Sequence, residues 1–456
     1  MSWFVRRQLK SRSVHIRRQA VHSLRGLSAD VVVPLIETLL ATEDQKAVLI
    51  EAIKVLGGCK GLPARKLLIA RLGNPDPAVR LAAVEALDQL ADPDAAPELV
   101  PSLTHLDPVV RGRAAQVLKH LGWQPKTKAE EAAFLVALGD IHRAAMLGAV
   151  AVGPLTSVLG DTAYQRRVQA VNRLADIGDP SAVKPLILAL VDQDDVVRMA
   201  ASDALGRLGD ARAKNPLLPM LKDRNAGVRA AAAGAMGAFG DATLVDALVP
   251  LLDDPHWEVR MAALESLGRL HDNRATEAVA RCLRDPDREV REKAAECLGM
   301  LGDPAGVGPL VAALVDADRF VRQWARLALQ RVNPHWEHSP DAHAQIDLLR
   351  SAARSHDFGQ QYAARETLRS LGDSPSSGAV ARRPEGVHGV ADLIAGFLGD
   401  PDASVRQAAV EALARLPGAI PDHVLQPLRH DPDASVATAA LGSPSPAQAT
   451  NRPESA

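Results

Sequence analysis

The sequence predicts an all-α fold, an α-solenoid in which about twelve two-helix repeats stack in a row. Three residue types recur with a period of 31: an arginine, an aspartate six residues before it and a leucine eight residues before it. Copies of one such unit stack because none can bury its apolar face alone. The arginines are Arg167, Arg198, Arg229, Arg260, Arg291 and Arg322. The aspartates are Asp161, Asp192, Asp223, Asp254, Asp285 and Asp316.

Each repeat is predicted to contain two antiparallel helices. Apolar residues follow each arginine at helical spacing, which places them on one side of the second helix. A residue suited to left-handed backbone ends that helix, and an aspartate suited to cap the next helix follows at once. The ending residues are Gly178, Gly209, Gly240, His271 and Gly302, and the capping residues are Asp179, Asp210, Asp241, Asp272 and Asp303.

The chain divides into segments by the regularity of this spacing. Arg111 and Arg167 are 56 residues apart, which is not a multiple of 31 and predicts a change in solenoid curvature between them. A run rich in Gly, Pro and Ser reads as a linker. The predicted segments are 1–122, N-terminal repeats with a basic capping helix; 123–160, an atypical helical segment; 161–337, regular repeats; 338–371, an irregular repeat; 372–387, a flexible linker; 388–441, C-terminal repeats; and 442–456, a disordered tail.

Composition and charge exclude several classes of protein. A net charge of -2 argues against a general polyanion binder, so nucleic acid is not the expected partner. The chain has no run of 18 apolar residues, so no membrane span is predicted, and cytoplasmic residence is expected. The three cysteines, Cys59, Cys282 and Cys297, form no C-x-x-C pair, so we expect packed thiols and neither a disulfide framework nor a zinc site.

The start of the chain is basic and supports two interpretations. Seven Lys and Arg residues precede the first acidic residue, Asp30, with apolar residues between them. One interpretation is a helix that caps the end of the stack. The other is an amphipathic helix that binds a membrane surface, an acidic partner or nucleic acid.

Two phrases resemble HEAT repeats, and more closely the short subtype of phycobilisome lyases, the PBS-lyase HEAT-like repeat. They are DPDREVREKAAECLGMLGDPAGVGPLVAAL at 285–314 and DPDASVRQAAVEALARL at 400–416, and the resemblance extends over most of 12–440. It implies that the helix bearing the arginine lines the concave side of the solenoid. A shared fold does not supply a function, which has to be sought in particular sites.

Candidate binding residues are found at positions that vary within the repeat. We expect the arginines to pair with loop acids or carbonyls and so to hold neighbouring repeats together. Five residues after the arginine, many copies carry an acid, and we hypothesise that these acids form part of a groove for a basic or mixed-charge protein segment. Trp324 is a candidate anchor for a partner. The acids are Glu85, Asp203, Glu265, Glu296, Glu366 and Glu411, with Glu51 in an earlier copy.

The sequence therefore predicts a non-catalytic scaffold or adaptor that binds an unidentified protein partner on its concave face. No catalytic residue, metal ligand or cofactor is predicted, and a monomer is expected. Two enzymatic alternatives stay open: a bilin-lyase-like chaperone or lyase subunit, which fits the repeat subtype, and a deoxyhypusine-hydroxylase-like oxidoreductase. Against the second, that family binds two irons through His-Glu pairs, and this chain has no His-Glu dipeptide.

Overall fold

The computed structural model describes residues 2–372, 397–398, 403–414 and 427–442, and within these ranges every regular element is helical. The prediction of an all-α solenoid of helix pairs is confirmed. The structure forms two compact units, residues 1–270 and 271–456. The predicted linker 372–387, apart from Gly372, and the predicted tail 442–456, apart from Gly442, lie outside the described residues.

The first unit contains eighteen of the described α-helices. They are α1 Ser2–Leu9, α2 Val14–His22, α3 Ala29–Leu40, α4 Lys46–Leu56, α5 Leu62–Ile69, α6 Pro77–Leu90, α7 Ala96–Leu99, α8 Pro108–His120, α9 Lys128–Leu138, α10 Ile141–Ala145, α11 Val152–Val158, α12 Tyr164–Ile177, α13 Val183–Ala189, α14 Asp195–Leu208, α15 Lys214–Leu217, α16 Ala226–Ala238, α17 Val245–Leu248 and α18 Trp257–Leu270. Short 3₁₀ turns precede or follow most of the shorter helices.

The second unit continues the same alternation of a short and a long helix. Its described α-helices are α19 Thr276–Arg281, α20 Arg288–Leu301, α21 Val307–Ala313, α22 Arg319–Val332, α23 Pro340–His343, α24 Ile346–Ala352, α25 Phe358–Ser370, α26 Ala403–Ala414 and α27 Ala434–Gly442. In the parts of the chain that the structure describes, no helix has the length and hydropathy needed to cross a bilayer.

The predicted helix ends are confirmed. Gly178, Gly209, Gly240 and Gly302 have positive φ angles between 61° and 71°, and His271 adopts the same left-handed region at 51° without being a glycine. The aspartate that follows each of them accepts a backbone N–H two residues later. The element it caps is a 3₁₀ turn that leads into the next short helix. These local signals fix where each repeat begins and ends.

The long helices pack against one another in succession through small residues. A Cβ added at Gly206 of α14 would lie 2.8 Å from the Cα of Ala235 in α16, and one at Gly237 would lie 2.8 Å from the Cα of Ser266 in α18. In the second unit, Gly299 of α20 approaches Ala328 of α22 in the same way, at 2.9 Å. The backbones are therefore too close for any larger side chain at these glycines.

The atypical segment forms two additional helices, α9 and α10, between the long helices α8 and α12. The α9 helix packs on α8, and α10 packs on α12. Arg111, in the first turn of α8, forms a fully buried ion pair with Asp161, which precedes α12. Arg111 also donates to the Ser157 carbonyl at 3.4 Å. The starts of α8 and α12 are thus joined directly across the inserted residues.

Candidate protein-binding face

Four of the six arginines of the repeated column, here called the ladder, bind an aspartate of the next repeat in the described residues. Arg198 in the first turn of α14 donates from Nε and Nη2 to the two carboxylate oxygens of Asp223, at 2.8 and 2.9 Å. Its Nη1 donates to the carbonyls of Asp192 and Gln193, at 2.9 and 3.3 Å. The Asp223 carboxylate also accepts the Asn225 N–H, which shapes the turn before α16. One planar guanidinium therefore fixes two turns at once.

The same two-pronged contact recurs along both units. It is found in Arg167–Asp192, Arg229–Asp254, Arg291–Asp316 and Arg406–Asp431. Arg260 and Arg322 each donate to the carbonyl six residues earlier, and Arg322 has no carboxylate within ion-pair distance among the described residues. Asp285 accepts the N–H of Asp287.

These pairs lie almost out of solvent. The side chains of Arg198 and Asp223 are 8% and 9% exposed. The hydrogen bond from Arg198 holds the pKa of Asp223 below its ordinary value, and the same bond raises the pKa of Arg198. Since Arg198 and Asp223 bind one another and are almost buried, neither group of this pair is open to a ligand.

Most acids of the hypothesised acidic line have basic partners within the chain. Glu265 pairs with Arg269 at 2.5 Å and Glu296 with Lys293 at 2.7 Å, each within a single helix. In the second unit, Glu366 lies 3.7 Å from Arg369. These contacts reduce the negative charge that the line presents to a partner.

Glu51, in the earliest copy of the line, is buried and accepts bonds from His22 and Arg25, both at 2.9 Å. Burial by itself would raise the pKa of Glu51, but the hydrogen bond from His22 and the charge of Arg25 lower it below its ordinary value. Neighbouring repeats are thus joined here by an acid of the line as well as by the ladder.

The remaining acids of the line differ from one another. Glu85 is half-buried and Asp203 is exposed, and no ion pair is found for either among the described residues. Desolvation by surrounding protein atoms raises the pKa of Asp203. Glu411 accepts a hydrogen bond from Gln407 at 3.0 Å. The binding role of this line stays a prediction.

The basic start of the chain makes several contacts with the repeat that follows. Arg17 takes the place of the ladder arginine in the first copy of the repeat. It donates from Nε and Nη2 to the carboxylate of Glu43, at 2.6 and 2.9 Å. Leu9 at the end of α1 is buried in the core of the first repeats. These contacts join α1 and α2 to the first repeats, while both the capping role and the binding role of this basic start stay predictions.

A stripe of large apolar side chains runs along α22 in the second unit. Phe320 and Leu327 are 39% and 40% exposed, and Trp324 between them is partly exposed. Their spacing of four and three residues places them on one side of the helix. The guanidinium of Arg319 lies 4.6 Å from the centre of the Phe320 ring. We call Phe320, Trp324 and Leu327 the α22 stripe.

Other repeats carry mostly small, acidic or basic residues in place of this stripe, with Val196 as an exception. The equivalent residues lie two before, two after and five after the ladder arginine. They are Val196, Ala200 and Asp203 in α14, Gly227, Ala231 and Gly234 in α16, Glu258, Ala262 and Glu265 in α18, and Glu289, Lys293 and Glu296 in α20. The α22 stripe therefore departs from the repeat at all three positions. Comparing these columns in the sequence could have identified Phe320 and Leu327, whereas attention to tryptophan alone found only Trp324.

The regular packing of long helices also changes at α22. Gly299 of α20 is buried, but its counterpart in α22 is Gln330, which is exposed. Likewise Ala295 of α20 is buried, and its counterpart Arg326 is exposed. The side of α22 that would pack on a following helix is therefore polar and open to solvent. The apolar stripe lies next to this open side.

The sequence matches the family model of HEAT repeats over residues 34–119, 152–233, 215–287, 248–330 and 278–369. The chain belongs to the HEAT-repeat family. The matched residues of this HEAT-repeat protein include the ladder from Arg167 to Arg322 and the whole of α22. No curated protein was found to match the sequence.

Solved structures similar to this HEAT-repeat protein include an engineered protein, with 21% identity over 82% of this chain and 99% of that one and a TM-score of 0.36. The complex of CpcE and CpcF of phycocyanin lyase from Nostoc has 24% identity over 48% of this chain and 86% of that one, with a TM-score of 0.33. Human deoxyhypusine hydroxylase has 23% identity over 59% of this chain and 94% of that one, with a TM-score of 0.25. Likenesses this distant assign no activity to the chain.

Possible metal ligands do not cluster in the described part of this HEAT-repeat protein. Across residues 2–372 and the shorter described ranges, no group of three or more His, Cys, Asp or Glu side chains is placed to share one ion. The three cysteines are buried, and burial raises the pKa of the Cys59 and Cys297 thiols.

Proposed function

We propose that this HEAT-repeat protein is a non-catalytic scaffold that binds another protein on the exposed side of its long helices. The α22 stripe is the part of that surface proposed to contact the partner. The observation that carries this proposal is that Phe320, Trp324 and Leu327 occur together in one repeat at positions where other repeats carry mostly small or charged residues. Large apolar side chains that are not used for stacking are common anchors at protein interfaces.

The recurring residues of the repeat support a scaffold because stacking already uses them. The ladder pairs join successive turns, and the small residues at Gly206 and Gly237 allow the long helices to approach closely. What differs from one repeat to the next lies on the exposed side, where substitutions do not disturb stacking. Recognition of a partner is accordingly assigned to the varying positions.

The charges on α22 indicate the chemistry of the partner. The helix has no acidic residue, and Arg319, Arg326 and Arg331 are exposed, with no carboxylate in ion-pair distance among the described residues. An amphipathic helix with an apolar face and flanking Asp or Glu residues would match both features. We therefore propose such a segment as the partner's contribution.

The other predicted functions have weaker support. In the first unit, Glu85 and Asp203 could receive basic residues of the same or another partner, because neither has an ion pair among the described residues. No contact among the described residues favours bilin-lyase or hydroxylase activity over protein binding.

A site-specific cross-linking experiment tests the proposal. The photoreactive residue p-benzoylphenylalanine replaces Trp324 in the full chain, or replaces Ala231, which occupies the same repeat position in α16. Irradiation in the native cell extract should give a defined adduct from position 324 and much less from position 231. Leu327→Asp in the chain labelled at 324 should remove the adduct, whereas Leu188→Asp, at an exposed apolar residue of α13, should leave it.

Two results would contradict the assignment of the α22 stripe. One is an adduct of equal yield from positions 324 and 231. The other is an adduct that survives Leu327→Asp. The yield of the adduct should also fall at raised salt, because Arg319, Arg326 and Arg331 are proposed to attract acidic residues of the partner.

A further inference from the structure

A second candidate surface in the second unit is a groove among the short helices. It has a volume of about 1470 Å³ and lies between α19, α21 and α24. Its apolar floor includes Leu283, Pro309, Ala312 and Val315. The groove arises because α24 begins at Ile346 whereas α21 begins at Val307, so the spacing between these short helices exceeds the 31 residues of the regular repeat.

Arginines surround this groove from both sides. Arg281 and Arg284 lie on the side of α19, and Arg350 and Arg354 lie on α24 and directly after it. All four are exposed. Arg350 lies 3.4 Å from Asp347, while Arg281, Arg284 and Arg354 have no carboxylate in ion-pair distance among the described residues. Three guanidinium groups that line one groove are therefore available for an anionic ligand.

Of these four arginines, only Arg350 pairs with an acidic residue of the groove in the part of the chain that the structure describes. The Asp316 carboxylate is held by Arg291 of the ladder, at 2.9 and 3.1 Å. Glu277 is exposed, and no ion pair with Arg281 is found although the two are four residues apart on α19. Asp347 lies beside Arg350. An added carboxylate would find guanidinium donors on Arg281, Arg284 and Arg354 that no carboxylate of the described residues occupies.

We propose that this groove binds an extended, carboxylate-rich segment of a partner protein. Guanidinium groups bind carboxylates through paired N–H donors, and the apolar floor would receive aliphatic side chains between the acids. Such a floor favours a peptide over a nucleic acid, whose recognition relies on phosphate contacts and base stacking. The site lies among the short helices, and it does not depend on the α22 stripe, which lies on a long helix.

Binding of a defined peptide to the full chain tests this site. The probe is a fluorescein-labelled dodecapeptide of alternating Asp, Glu and Leu residues, and the control peptide has Asn and Gln in place of the acids. Fluorescence anisotropy at low salt should show binding of the acidic peptide only. The double variant Arg281→Gln/Arg284→Gln should weaken it about tenfold or more, because two charge-assisted contacts are lost.

Arg365→Gln on α25 is the matched control, since Arg365 is exposed and lies outside both the groove and α22. It should leave the affinity unchanged, and circular dichroism should show that all variants remain folded. Equal affinity for both peptides, or for the chain and its double variant, overturns the proposal. A larger loss with Arg331→Gln would assign the peptide to α22 instead. A single-stranded RNA of equal length serves as a competitor. If this RNA displaces the peptide and binds more tightly, the groove is a polyanion site and the peptide proposal is rejected.

Discussion

Asp223 is the residue whose removal tests the ladder most directly. Its carboxylate accepts Nε and Nη2 of Arg198, at 2.8 and 2.9 Å, and the N–H of Asn225, at 2.8 Å. Asp223→Ala would leave an almost buried guanidinium without its counter-charge. Breaking a buried pair by removing one partner costs about 3 to 5 kcal/mol, and the lower figure suits a pair that retains slight exposure.

Hydrogen exchange of the full chain measures this cost locally. A loss of about 3 kcal/mol at the contact between α14 and α16 should speed exchange of their slowest amides by roughly 150-fold, since about 1.4 kcal/mol corresponds to a factor of ten. The double variant Arg198→Met/Asp223→Leu should recover most of the protection, because apolar residues of similar volume replace a buried pair at little cost.

Arg322 supplies a comparison within the same chain. It donates only to the carbonyls of Asp316 and Ala317 among the described residues. Arg322→Met should therefore cost about 1 to 2 kcal/mol, as expected for two hydrogen bonds. Two results would refute the proposal that ion pairs hold successive repeats together. One is a change of less than tenfold in the amide exchange rate of Asp223→Ala. The other is an Arg198→Met/Asp223→Leu variant that exchanges as fast as Asp223→Ala.

Further predictions concern packing, acidity and thiol reactivity. Gly237→Ala should lower the thermal midpoint, because its Cβ would lie 2.8 Å from the backbone of the facing helix, whereas Gly234→Ala in open space should raise it; shifts of the same sign contradict this. The bond from Lys214 lowers the pKa of Asp241 to about 2, so its contribution to stability is present above the ordinary value of 3.8 and lost as pH falls through about 2. In a carboxyl NMR titration, Lys214→Met should move that pKa up toward 3.8, and no change would count against the pair. Burial raises the pKa of Cys297, so a thiol reagent should label it in urea but not in the native chain, and rapid native labelling would exclude such burial.

Spacing in the sequence predicted the repeat and its ends, but it did not specify which groups meet. Asp223 lies six residues before Arg229, yet its carboxylate binds Arg198, 25 residues earlier. Pairing across repeats depends on how closely the long helices approach, and that distance is fixed by residues such as Gly206. Helical periodicity describes one helix at a time and does not specify the distance between two helices.

The acidic line shows a similar limit. Its period placed Glu265 and Glu296 on the same side of successive long helices, but the bases that pair with them lie at other positions of the same helices. Whether an acid is available to a partner depends on such neighbours. Trp324 could be selected because tryptophan is rare in this chain, while Phe320 and Leu327 become informative only beside their counterparts in other repeats.

The ion pair between Arg111 and Asp161 has a consequence for how a repeat array accepts inserted residues. It joins the first turn of α8 to the residues just before α12, and both side chains are 1% exposed, while α9 packs on α8 and α10 packs on α12. A direct pair of this kind holds two long helices together independently of the chain length between them. Residues can accordingly be inserted between two repeats without interrupting the series of pairs that join successive turns.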